Sequence, residues 1–193
     1  AAVRYGRGGT ERIGFMIWII LGAAVVLLLV WFVVLYNGVR RAALKVDEAE
    51  AGIDAALAKR YDALTKLLDI TRGYASHERE TLERVVELRG GMTMAEKEEA
   101  GARMDETARG LTLMAESYPE LKSSENFKTL QLAVMDTEEH LQAARRLYNG
   151  NVAAYNERLV TFPSSLAAAF AKAKPRPFFR ADAEQRDDVK MRF

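Results

Sequence analysis

Residues 13–36 read IGFMIWIILGAAVVLLLVWFVVLY, 24 positions in a row without a charge. At 1.5 Å of rise per residue such a run makes about 36 Å of apolar helix, enough to cross a hydrocarbon layer about 30 Å thick. A secretory leader has a shorter apolar region of about 7–15 residues followed by a small-residue cleavage site, whereas this run leads into YNGVRR. The run therefore predicts one transmembrane helix over 13–36, behind an N-terminal stub of residues 1–12. Trp18 lies near its start, and Trp31 and Tyr36 near its end, where amphipathic rings favour the headgroup layer. The bilayer is the first partner expected.

Charge divides the remainder. Residues 1–45 carry Arg4, Arg7, Arg12, Arg40, Arg41 and Lys45 against Glu11; residues 46–163 carry 15 basic and 22 acidic side chains; the last 30 residues are basic again. An acidic body argues against a nucleic-acid surface, which needs a basic stripe. Both flanks of the span hold three Lys or Arg, but the Arg40-Arg41 pair lies closest to it. By the positive-inside rule this favours a cytoplasmic body, with a periplasmic body as the alternative. The chain has no cysteine, which excludes disulfides and thiolate metal sites.

Beyond the span the periodicity is helical throughout. Val46, Ile53, Leu57, Tyr61, Leu64, Leu67, Leu68 and Tyr74 recur at helical spacing, so the span is expected to run on unbroken as an amphipathic helix until Gly73 and Ser76. Ser76 can cap a second helix that breaks at Gly90-Gly91. Thr93 with Glu96 is a capping-box pair that restarts it, and Tyr118-Pro119 ends it. A last long helix begins at Ser123 or Ser124 and lasts until Pro163. No strand-like alternation occurs. The expected fold is all-α: a single N-terminal transmembrane helix continuing into an antiparallel bundle of three long helices over 37–163, one of them broken near Gly90-Gly91, followed by a short helix and a basic, aromatic segment over 164–193.

Within the last long helix the pair Tyr-Asn occurs twice at an interval of seven, at Tyr148-Asn149 and Tyr155-Asn156. Stepping by seven gives Phe127, Val134, Leu141, Tyr148, Tyr155 and Phe162, a stripe along one helix face. The tyrosines are expected to pack in a bundle seam. Asn149 and Asn156 lie beside it, where a buried amide must find a partner and can fix register.

Four blocks of sequence in order, YNGV, KRYDALTKLLDITRGYASHERETLERV (59–85), ESYPELKSSENFKTLQ (116–131) and ARRLYNGNVAAYNERLVTFPSSLAA (144–168), resemble the LemA family. Their polar positions include Arg60, His77, Glu78, Glu125, Asn126, Arg145, Asn149 and Asn156. The resemblance implies a single-pass protein of the bacterial inner membrane, its small N-terminus outward, with an all-α bundle and no established chemistry. It also suggests a link to membrane-protein quality control and to a membrane metalloprotease. Two departures stand out. Where the family reads Leu-Ile-Pro-Asn-Leu this chain has Ala63-Leu64-Thr65-Lys66-Leu67, which removes a kinking proline, and where it reads Glu-Asn-Arg this chain has Glu138-Glu139-His140.

Motifs for catalysis are missing. There is no G-x-S-x-G, Walker loop, G-x-G-x-x-G or H-E-x-x-H, and His77 and His140 lack the converging ligands a metal needs. No enzymatic role and no cofactor are expected. If the three long helices alternate in direction, the last one carries residues 164–180 to a tip about 55–60 Å from the bilayer. Leu166, Phe170, Phe178 and Phe179, beside Lys172, Lys174, Arg176 and Arg180, would then be out of reach of lipid, and are expected either to fold back over the chain's own bundle or to join other copies. The functional expectation is a non-catalytic, membrane-anchored scaffold that self-associates into a homo-oligomer. An adaptor that hands clients to a membrane protease or sensor is the alternative.

Overall fold

The computed structural model of the protein describes residues 7–73 and 90–180, in which every regular element is a helix. Helix α1 runs from Arg7 to Arg72 without a break, so the apolar run and the amphipathic stretch after it are one element. Asn37-Gly38 does not interrupt it, because a single glycine costs a helix only about 1 kcal/mol. Helix α2 covers Met94–Ser117, α3 Pro119–Ser123, α4 Glu125–Val160 and α5 Ser164–Phe170. The second helix expected from Ser76, together with His77 and Glu78, lies outside the described residues, as do residues 181–193.

Local chemistry places the helix ends. α1 gives way to a turn at Gly73, whose N–H donates to the Ile70 carbonyl. Gly91 has φ +80°, a conformation suited to glycine, and Thr93 then opens α2. The Thr93 hydroxyl accepts from the Glu96 N–H, and the Glu96 carboxylate accepts from the Thr93 N–H, which completes the capping box. Pro119 occupies the first turn of α3, where its missing N–H is not needed. α4 stops three residues before Pro163, and the Ser164 hydroxyl shares its proton between the Arg158 carbonyl in the last turn of α4 and the Thr161 carbonyl just past it.

The chain divides into two compact units. In the larger, Leu44–Ala154 with 176 onward, α1 presents Val46, Ile53, Arg60 and Leu67 at steps of seven, all buried. Ala49, Ala56 and Ala63 line the adjoining stripe, and their small side chains allow close helix contact. α2 contributes Met94, Lys97, Gly101, Met104, Leu111 and Ala115, and α4 contributes Phe127, Val134, Leu141, Tyr148 and Val152. Leu121 of α3, the short helix between α2 and α4, is also fully buried.

Directions follow from the cross-helix contacts. Lys97 meets Glu50 and Asp54, and Asp105 meets Arg60, so α2 runs parallel to α1. Glu138 meets Arg60 and Asn151 meets Lys45, so α4 runs antiparallel to both. The expected return of the chain from Ser76 to Ser117 is therefore corrected over Met94–Ser117, where α2 runs with α1 and not back along it.

In the smaller unit, Ala1–Ala43 with Tyr155–Pro175, the Arg158 Nη1 donates to the Gly38 carbonyl at 3.1 Å. Phe170 of α5 sets its ring edge-on to Phe32, with centroids 5.5 Å apart, and to Tyr36 at 6.4 Å. α5 thus lies beside the end of the apolar run. This corrects the expectation of a remote tip, for the same reason: once α2 ascends, α4 must descend.

Candidate functional site

Three features of α4 converge on one extended segment. Tyr148 is buried at 1% exposure, and its hydroxyl donates to the Pro177 carbonyl at 2.9 Å. One residue on, the Asn149 amide donates through Nδ2 to the Phe179 carbonyl at 2.9 Å, while its Oδ1 accepts from the Phe179 N–H at 2.8 Å. One side chain thereby satisfies both main-chain groups of a residue, as a neighbouring β-strand would. The Arg145 guanidinium lies 4.6 Å over the Phe179 ring. Gly101 of α2 makes room for it, since a Cβ there would come within 2.7 Å of Arg145 Nη2. The segment is held from the other helices as well. Arg176 pairs with Asp47 at 2.8 Å, and the Arg180 N–H donates to Glu98.

The Tyr-Asn repeat thus grips the chain's own tail through backbone atoms. Within the smaller unit Tyr155 repeats half of the device, donating from its hydroxyl to the Lys174 carbonyl at 3.1 Å. Asn156 is partly buried and also engaged. The expected seam residues Phe127, Val134, Leu141, Tyr148 and Tyr155 are all buried. Phe162 is not: at 74% exposure it lies beyond the end of α4 at Val160, off the stripe that seven-residue stepping extended to it. Of the four tail residues expected on a contact surface, Leu166, Phe170 and Phe178 are exposed, but Phe179 is buried under Arg145 within its own chain.

Two cations are buried in the same unit. Arg60 is 3% exposed and ion-paired to both Asp105 of α2 and Glu138 of α4, so one guanidinium ties three helices. Lys97 is clasped by Glu50 at 2.9 Å and Asp54 at 2.7 Å. Burial pulls the Lys97 pKa down, but the hydrogen bonds and charges of Asp54 and Glu50 outweigh it and hold the ammonium above its ordinary value. Burial pushes the Tyr148 hydroxyl up, and the charge of Glu50 adds to this.

The remaining expected positions scatter. Glu125 and Asn126 are exposed at the start of α4, and Trp18 and Trp31 are exposed on the apolar run with Tyr36 half-buried behind them. On the outward side of α4 an open depression of about 540 Å³ is lined by Glu138, Glu139, His140, Gln142, Ala143 and Arg146. Among the described residues no three His, Cys, Asp or Glu side chains gather as metal ligands would. Sequence reasoning missed Lys97, Asp105, Glu50 and Asp54. Continuing the seven-residue step along α1 from Val39 through Val46 and Ile53 would have placed Arg60 in the core, and a buried cation implies acidic partners.

These elements define an all-α protein with a long apolar N-terminal helix and a bundle that secures its own C-terminal segment. The chain matches the LemA family over residues 49–193 and belongs to that family. It is also 25% identical over 186 residues to Protein LemA of Metamycoplasma hominis, an alignment covering 94% of this chain and 84% of that one.

Proposed function

We propose that the protein is a non-catalytic, membrane-anchored helical scaffold that self-associates. One observation carries the anchor: the large side chains that α1 exposes between Phe15 and Val34 are 45–72% exposed, and apart from Phe170 against the half-buried Phe32 nothing among the described residues is seen to cover this surface. An 18-residue window of this helix has a mean hydropathy of 3.0, and the helix is long and apolar enough to cross a membrane. Lipid is the environment in which such a surface is stable. The family resemblance points to the bacterial inner membrane, and Arg40-Arg41 beside the run favours a cytoplasmic bundle.

Self-association is supported by the outward side of α4, opposite the buried stripe. Leu132, Met135 and Leu147 are each more than 60% exposed there. Spacings of three and fifteen residues bring them within one third of the helix circumference. A soluble helix face of that kind favours another copy of itself. Full-length protein in mild detergent should run as a homo-oligomer, and Leu132→Glu with Met135→Glu should reduce it to monomers. Wild-type protein that is monomeric at all concentrations would refute the scaffold reading.

The adaptor reading draws on the open depression around His140, which adjoins the same face and is lined by both charges. A membrane protease co-purifying at fixed stoichiometry and lost on Glu139→Lys would favour it.

A further inference from the structure

We propose that the turn after α4 and helix α5, Val160–Phe170, form a second membrane-contact element that lies in the headgroup layer of an anionic bilayer beside the end of the apolar run. The inference deepens the anchored reading and rests on it. Val160, Phe162, Leu166 and Phe170 are 81%, 74%, 54% and 73% exposed. They are large and apolar, and within α5 the inward positions are taken by the small buried side chains of Ala167 and Ala168. Leu166 and Phe170, four residues apart, share one helix face. A short helix that turns alanine toward the protein and leucine and phenylalanine outward is arranged for an apolar surface outside the chain.

The position of α5 identifies that surface. The Phe170 ring touches both Phe32 and Tyr36, which are one turn apart at the end of the 13–36 run. If the run is in lipid as far as Tyr36, Phe170 is at the depth of its last turn. Trp31, Val33 and Val34, on the same turns of α1, are themselves exposed, so the apolar surface of α5 continues that of the span. Charge agrees. Residues 37–43 and 155–175 contain Arg40, Arg41, Arg158, Lys172 and Lys174 against Glu157 alone, and all six are exposed. A cationic collar around an apolar wedge is the pattern that binds anionic headgroups while its hydrophobic side chains enter the acyl boundary.

The test uses full-length protein, whose lack of cysteine allows single labelling sites. The fluorophore NBD is attached at Phe162→Cys or Leu166→Cys, with Val26→Cys reporting the span and Leu132→Cys the outward side of α4. Each variant is reconstituted in phosphatidylcholine vesicles with and without phosphatidylglycerol, and quenched by lipids spin-labelled at the headgroup or deep in the acyl chain. The expected result is deep quenching at 26, none at 132, and a blue shift with headgroup-level quenching at 162 and 166. Those two signals should strengthen with phosphatidylglycerol and weaken with salt. Labels at 162 and 166 that behave like 132 while 26 is quenched would overturn the wedge and leave the anchor standing. A blue shift without lipid quenching would mean that another copy covers the face, and would also overturn it. Absence of quenching at 26 would remove the anchor and the wedge together.

Discussion

Arg60 occupies a position where α1 otherwise places Val46, Ile53 and Leu67, and the cost of burying a guanidinium is offset by two carboxylates from two other helices. Arg60→Ala should destabilise the bundle by about 3 kcal/mol, the low end for breaking a buried pair, because Asp105 and Glu138 are 26% and 31% exposed and part of their charge stays solvated. Arg60→Met, with Asp105→Asn and Glu138→Gln, should recover most of that in urea unfolding, since an apolar side chain of similar length fills the same space. Lys97 and Tyr148 both hold their protons more tightly in the folded chain than in the unfolded one. The stability each contributes is complete below the unfolded pKa, near 10 for both residue types, and is lost as pH rises through the folded value. The midpoint of urea unfolding should therefore fall progressively above about pH 10, and less steeply in Tyr148→Phe.

Among the elements, α4 has two jobs that share its length: its aliphatic positions fill the core and its Tyr-Asn pairs hold the extended tail. Asn149→Ala removes both main-chain bonds to Phe179, at a cost of about 1–3 kcal/mol confined to the tail. Amide exchange at Phe179 and Arg180 should accelerate strongly, while amides in the middle of α1 and α4 keep their protection. Uniform acceleration across the helices would show that the tail is part of the cooperative core. Gly101→Ala tests the same clamp from α2. Its Cβ pushes the end of a flexible side chain, so the helix gains up to about 1 kcal/mol of propensity while Arg145 leaves the Phe179 ring. Global stability should change little, and tail protection should drop.

At the scale of the whole molecule, the exposed surfaces call for different partners. On the reading proposed above, the apolar run of α1 faces lipid, the outward side of α4 a second copy, and the face of α5 the headgroup boundary. Replacing Phe162 and Leu166 by serine should leave the circular dichroism unchanged and the unfolding free energy of the solubilised protein within about 0.5 kcal/mol of wild type, because these exposed side chains, unlike Phe170, make no aromatic contact with α1. The same replacement should weaken binding to anionic vesicles when the 13–36 run is removed from both proteins, provided the remaining bundle retains its helical spectrum.

The sequence alone determined the long helices among the described residues, the capping box at Thr93, the unbroken passage from Tyr36 to Arg72 and most of the buried stripe of α4, because spacing and capping are local chemistry that repeats along a chain. It could not determine the direction of α2, which shows only in the carboxylates that Arg60 and Lys97 meet across helices. That direction in turn decided where α4 ends and brought Phe170 to Phe32 instead of to a remote tip. Only the tertiary structure could also reveal that Tyr148 and Asn149 bind the backbone of residues 177–179, since a main-chain carbonyl acceptor or N–H donor carries no mark in the amino-acid sequence.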